Sequence, residues 1–178
     1  LKTNNRLLNA KIVGNLQVEL EMGKPLFSFK DIPLSKTINP ADITLEINNK
    51  TFAGGFCVNV GNPHIIFFVK NCFEYDLKTI GPKIENHILF PEKTNVTMAQ
   101  IIDENNITVN VWERGAGLTK ACGTAACATA VAAFKNKLVN SEVDIKFKEG
   151  FLNVKIDKTE NIFMTGPVSE IETIDFEI

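Results

Sequence analysis

Apolar and polar residues alternate in short runs over most of this chain, and a period of two marks a strand with one buried face. Residues 11–22 alternate well enough for a single strand kinked at Gly14, and Pro25, Pro33 and Pro40 then mark a long connection. Residues 43–47 and the stretch from Thr51 onward predict a hairpin about Asn48-Asn49, because asparagine tolerates the positive φ of a tight turn. Two apolar strands, 56–60 and 65–69, are separated by Gly61-Asn62-Pro63-His64. The proline sets that turn, which is expected to present Asn62 and His64 at a sheet edge. Strands 96–102 and 107–112 join about Asn105-Asn106, strands 143–147 and 151–156 join about Glu149-Gly150, and 162–165 and 172–178 read as the last two.

Two stretches switch to the helical period. Asp76 can cap a short helix reaching about Asn86, with Leu77, Ile80 and Ile84 on one face, although Gly81-Pro82 interrupts it. The strong helix runs from Gly123 to about Leu138, and Ala125, Ala126, Ala128, Ala130, Ala132 and Ala133 make it alanine-rich. With no polar face over several turns, it must be buried on all sides, and small side chains let the surrounding backbone come close. The expected fold is α+β: a strand-rich curved sheet wrapped around one central Ala-rich helix, in one unit of 178 residues.

Composition narrows the partners. The net charge of −2 and the absence of a basic stripe argue against nucleic acid, and no apolar run is long enough to span a bilayer. No signal peptide is visible, although the chain begins at Leu1, so reduced thiols in a cytoplasm are expected. The cysteines, Cys57, Cys72, Cys122 and Cys127, show no zinc-like spacing, so no metal is expected. Three of them lie in apolar stretches and read as small core residues; Cys122 alone sits among glycines and charges. The basic residues are nearly all lysine, with arginine only at positions 6 and 114. An arginine beside a glycine loop suggests a planar fork for a carboxylate.

The chemistry concentrates in Trp112-Glu-Arg-Gly-Ala-Gly-Leu-Thr-Lys-Ala-Cys-Gly-Thr-Ala-Ala-Cys127. A strand ends in Glu113-Arg114, a glycine loop follows, and Cys122 falls at the start of the helix. The first N–H groups of a helix have no internal partners and the macrodipole makes that end positive, so Gly123 and Thr124 can hold a carboxylate. The same field is expected to lower the pKa of the Cys122 thiol. Gly115, Gly117 and Gly123 let backbone close in on a ligand. On an unbroken strand Glu113 and Arg114 would face opposite ways, but at a strand end both can turn into the loop. The arrangement suits proton transfer at a carbon next to a carboxylate. A glycine turn capping a core helix over a buried cysteine accounts for the same pattern without chemistry. Dinucleotide and P-loop spacings are both missing from the glycines. His64 alone is as readily structural as catalytic, and Asn95 and His87 read as turn and structural residues.

The run from Trp112 to Ala128 closely resembles the second active-site motif of the diaminopimelate epimerase family. Gly61-Asn-Pro-His64 and the segment from Ile80-Gly-Pro to Thr94-Asn-Val96 resemble two more of its segments, in the right order and spacing, and Val18-Glu-Leu-Glu-Met-Gly-Lys-Pro25 resembles the strand leading into its second half. The resemblance covers nearly the whole chain. It implies a cofactor-independent enzyme of lysine and peptidoglycan-precursor synthesis that interconverts LL- and meso-diaminopimelate, working as a cytoplasmic homodimer. Two cysteines would flank the substrate α-carbon, one removing its proton and the other supplying one. Carried over, Cys122 is one of that pair, with Glu113 and His64 assisting. Gly123 and Thr124 are N–H donors to the reacting carboxylate, Glu113 and Arg114 hold substrate, and Asn62 and Asn95 are ligands of the distal amino-acid end.

Two departures stand out. Ala125 occupies the place of the family's usual second glycine, and no Cys-Gly-Asn-Gly-like string, the motif of the other cysteine, occurs. Residues 1–178 are therefore expected to be one lobe, mainly the C-terminal half of a two-lobe epimerase, with 1–20 the tail of, or crossover from, the N-terminal lobe. Such a lobe alone is expected to be inactive, and its uncovered apolar face to favour association. Two other readings keep the fold: a proline racemase-like isomerase, against which the Asn62 and Asn95 segments argue, and a non-catalytic lobe that binds a small dicarboxylate or a partner chain.

Overall fold

Hairpins build most of the molecule. The computed structural model describes residues 7–169. Its strands are β1 (Ala10–Gly14), β2 (Gln17–Gly23), β3 (Ile43–Ile47), β4 (Lys50–Asn59), β5 (Pro63–Phe68), β6 (Asn95–Asp103), β7 (Asn106–Glu113), β8 (Gly117–Thr119), β9 (Glu142–Phe147), β10 (Gly150–Ile156) and β11 (Ile162–Pro167). They join in the order β1-β2-β11-β10-β9-β7-β6-β5-β4-β3, with β8 added to β7. The expected strand over residues 172–178 lies outside the described residues.

Two pairs in the sheet are parallel, β5 with β6 and β7 with β9. A parallel pair needs a long crossover, and each one here contains a helix. Helix α1 (Leu77–Glu85) connects β5 to β6, and α2 (Gly123–Lys135) lies between β7 and β9. The two helices pack on opposite faces of the sheet. On β5, Ile66 joins the core around α2, whereas Ile65 and Phe67 join a second core that contains Leu77 and Ile84 of α1. The same split recurs on β4, where Phe56 and Val58 face α2 and Cys57 faces α1. The α+β fold and the buried alanine-rich helix are as expected: residues 125–133 of α2 are all buried. The opposite face, covered by α1, was the part not anticipated.

Several boundaries differ from the sequence expectations. The region 11–22 is a hairpin, not one kinked strand: β1 pairs antiparallel with β2, and Leu16 takes φ 53° in the turn. β2 also pairs with β11, so this hairpin is part of the sheet. The Asn48-Asn49 turn has the expected positive φ, 52° and 60°, but β4 then runs unbroken to Asn59. α2 stops at Lys135, three residues early, where Asn136 caps it and Lys137 turns to φ 58°. α1 continues through its internal Gly81-Pro82, and Gly81 lies against the Trp112 ring, where a Cβ would come within 2.5 Å.

Candidate active site at the start of α2

Three neighbouring strands end together beside the N-terminus of α2. His64 is register partner of Asn95, and Val96 is partner of Trp112, which sets Asn95 next to Glu113. Pleat alternation aims Glu113 at the α2 side, the side already taken by Val109 and Val111. Arg114 is aimed the other way. The adjacent pair is therefore split, and the expectation that both turn into one loop is corrected. Glu113 Oε2 accepts the Cys122 thiol hydrogen at 3.1 Å, while Arg114 Nη1 donates to the Glu92 carbonyl at 2.9 Å.

The turn after Glu113 is held open by glycine. Gly115 has φ 78° and Gly117 φ 89°, conformations that L side chains rarely adopt, and β8 then returns along β7. Cys122 follows with extended backbone as the N-cap of α2, and its carbonyl accepts the first intrahelical bond from the Ala126 N–H. The Cys122 side chain makes no capping hydrogen bond. Among the described residues the Gly123 and Thr124 N–H groups have no hydrogen-bond acceptor, so the positive end of α2 presents two open donors beside the thiol. Gly123 is closely packed from behind: a Cβ there would meet Met164 Sδ at 3.0 Å.

Cys122 is buried, with 8% of its surface exposed. Burial is the main influence on the thiol and pushes its pKa up from the ordinary value. The Thr124 hydroxyl and Ala125 N–H act the other way, and the hydrogen bond to Glu113 and its charge add to the rise. The expected lowering by the helix end is thus corrected: desolvation and a neighbouring carboxylate outweigh it. The resting group is a protonated thiol donating to a carboxylate, with Thr124 Oγ1 3.5 Å away on its other side.

The remaining candidates form the wall beside this pair. His64 is fully buried inside the sheet, between β4 and β6, and not at an edge. Its Nε2 is 2.9 Å from Asn62 Oδ1, and its Nδ1 has no partner among the described residues. Burial, aided by the Arg114 charge, lowers its pKa to about 3, so it is neutral. Asn95 is a clamp: its Nδ2 donates to the Pro63 carbonyl at 2.8 Å and its Oδ1 accepts from the Arg114 N–H at 2.9 Å. His87 is away from this group, its Nδ1 accepting from the Leu89 N–H at 3.2 Å. Cys57, Cys72 and Cys127 are buried in the two cores and in no disulfide among the described residues.

One residue was missed. Glu85, at the last position of α1, is 5% exposed and points at the same turn from the α1 face. The spacing of Leu77, Ile80 and Ile84 marks the apolar face of α1, and a glutamate next to Ile84 carries no signal of its own.

Known proteins resemble this chain in sequence and in fold. The diaminopimelate epimerase family matches residues 56–171. Among curated relatives, the diaminopimelate epimerase of Pelagibacter ubique (strain HTCC1062) is 55% identical over 181 residues, covering 100% of this chain and 66% of its own length. That of Wolbachia sp. subsp. Brugia malayi (strain TRS) is 40% identical over 93% of this chain and 62% of its own. The chain thus spans at most about two thirds of these relatives. Among solved structures, a hydroxyproline epimerase from Agrobacterium vitis aligns with TM-score 0.59 at 9% identity, covering 94% of this chain and 59% of that one. A probable proline racemase from Agrobacterium radiobacter K84 aligns with TM-score 0.56 at 9% identity, over 94% and 59%. At that identity the likeness is one of fold.

Proposed function

This chain belongs to the diaminopimelate epimerase family, and from that premise we propose that it is the C-terminal lobe of an enzyme that interconverts LL- and meso-diaminopimelate. The observation that carries the reading is the Cys122 thiol donating to Glu113 at 3.1 Å beside the open N–H groups of Gly123 and Thr124. The substrate carboxylate lies against those two N–H groups, which stabilise the charge that grows on it as the α-proton leaves. The α-carbon then faces Cys122. As a thiol, Cys122 delivers a proton to one face of the carbanion, and the resulting thiolate is held by the Thr124 hydroxyl and the Ala125 N–H. In the reverse direction the thiolate removes that proton. Glu113 steadies the thiol hydrogen between turnovers. Neutral His64 orients Asn62, which leaves the Asn62 amide N–H₂ to donate to the distal end of the substrate. The second N–H of Asn95 and the exposed side of the Arg114 guanidinium serve the same end.

The opposite face of the α-carbon needs a second acid/base group, a thiolate that removes the α-proton when Cys122 donates and a thiol that returns one when Cys122 abstracts, supplied by a cysteine of a preceding lobe, with residues 1–20 as the tail of, or crossover from, that lobe. An exposed apolar groove lined by Ile12, Leu20, Leu152 and Met164 supports a covered face near this site, since Met164 also touches Gly123. The reaction needs no cofactor, and the whole enzyme acts as a cytoplasmic homodimer.

The test is deuterium incorporation. Full-length protein incubated with LL-diaminopimelate in D₂O should label the α-carbon, and Cys122→Ala should cut that exchange by about a thousandfold. Exchange that survives Cys122→Ala undiminished overturns the role of the thiol. Labelling of proline in place of diaminopimelate would move the substrate to the racemase class, and calorimetric binding of diaminopimelate with no exchange at all would make the lobe a binding module.

A further inference from the structure

The turn that carries Glu113 is gripped from the α1 face by one carboxylate. Glu85 Oε2 accepts the Trp112 indole N–H at 2.7 Å, and Glu85 Oε1 accepts the Gly115 backbone N–H at 3.1 Å. Those two partners bracket Glu113 and Arg114 in sequence, so a single rigid group fixes both sides of the strand end. The carboxylate is itself buried, with Lys93 Nζ 4.0 Å away as its nearest cation. Gly81, one turn earlier on α1, packs directly on the Trp112 ring, which locks the indole that Glu85 holds. Burying a carboxylate is unfavourable unless its oxygens are engaged by donors. A neutral residue would fill this place if packing were its only task.

We propose that Glu85 is a positioning residue that holds the 112–115 turn and so presents the Glu113 carboxylate to the Cys122 thiol. The inference deepens the reading of Cys122 as the proton-transfer group and rests on it. Glu85 touches neither thiol nor substrate; it lies across the sheet from α2 and acts through Glu113. Glu113 restrains the Cys122 proton both by its hydrogen bond and by its charge. Loosening the turn therefore frees the thiol to ionise at lower pH.

The chain carries its own controls for this test, because Cys57 and Cys127 are fully buried and report whether the fold has opened. Iodoacetamide alkylation of each cysteine, followed by mass spectrometry between about pH 6 and 11, reads the ionisation of Cys122 directly. In Glu85→Gln, the amide can accept only one of the two N–H groups and turns a donor toward the other. The Cys122 profile should move to lower pH and its rate near pH 8 should rise roughly threefold or more, with Cys57 and Cys127 still protected. Glu85→Asp keeps the charge but is one carbon too short to bridge both donors, and should move the profile the same way by less. An unchanged Cys122 profile in a variant with protected Cys57 and Cys127 overturns the proposal. So does opening of the fold in both variants, which would make Glu85 a support of the core alone. No substrate enters this measurement, so a failure of the full-length enzyme to exchange the α-proton of diaminopimelate would sink the proposed function and leave this result standing.

Discussion

The two flanks of the Glu113 turn use polar groups in opposite ways. On the α2 flank the donors are left open: among the described residues the Gly123 and Thr124 N–H groups have no acceptor, and Cys122 offers its hydrogen to one carboxylate. On the α1 flank the polar atoms are engaged: the two oxygens of Glu85 take the Trp112 indole N–H and the Gly115 backbone N–H, and one guanidinium nitrogen of Arg114 donates to the Glu92 carbonyl. One flank is prepared for a ligand and the other holds the first in place. A polar residue near a site is therefore read by what its hydrogen bonds already do, not by its type.

Removing Cys122 is the strongest way to test the open flank, and the loss of about a thousandfold in exchange stated above is the largest effect expected. The next largest effect is expected at His64, buried on the α2 side of the sheet. The unfolded side chain titrates near 6.5, while burial keeps the folded one neutral down to about 3. Between those values the unfolded chain binds the extra proton, so stability falls as pH is lowered, by about 1.4 kcal/mol per pH unit. The slope should be read between about pH 6.5 and 5, above the range in which the lowered carboxylates Asp76, Asp103, Asp157 and Glu160 protonate. His87 is also lowered by its partial burial and adds to it with the same sign. Denaturant melts across this window should show a shallower slope in His64→Gln than in the wild type. Identical slopes would mean that His64 is not the buried neutral group described.

The grip of α1 comes next. Gly81→Ala would drive a Cβ to within 2.5 Å of the Trp112 ring and displace either the helix or the indole. A loss of about 1–3 kcal/mol is expected in urea unfolding, the usual penalty of overpacking. A neutral outcome would show that the contact between α1 and the turn is loose. Asn95→Ala should cost a similar or smaller amount, about 1–2 kcal/mol, because it orphans the Pro63 carbonyl and the Arg114 N–H together.

The same comparison explains how much could be read from the chain alone. The open flank was legible because it depends on backbone: a glycine loop, a cysteine and an alanine-rich run place a helix end and its free N–H groups without any tertiary information. β-Hairpins with Asn-Asn or Glu-Gly turns were legible for the same reason. The engaged flank was not. Glu85 meets Trp112 and Gly115 across 27 and 30 residues, and only the parallel β5-β6 crossover brings them together. The direction of the Cys122 shift was also hidden, since the helix field can be inferred from sequence but desolvation and the approach of Glu113 depend on packing. The 11–22 hairpin was missed because its turn, Asn15-Leu16, holds a leucine at positive φ that no turn preference would suggest.

The smallest expected effect lies at Ala125, where the family resemblance anticipates glycine. Ala125 sits in the first turn of α2, fully buried, and its backbone N–H acts to lower the pKa of the Cys122 thiol. The contribution of this residue to the open flank is therefore its backbone, which glycine would reproduce. What changes is the helix: glycine at a helical position loses more conformational freedom on folding, and removing one methyl from a closed core leaves a small void. Ala125→Gly should lower stability by about 1 kcal/mol in urea unfolding while leaving the pH profile of Cys122 alkylation where it was. The opposite result, with stability unchanged and the thiol profile moved, would mean that the methyl group itself shapes the anion-binding end of α2. The division between an open flank made of backbone and an engaged flank made of side chains would then fail at its clearest point.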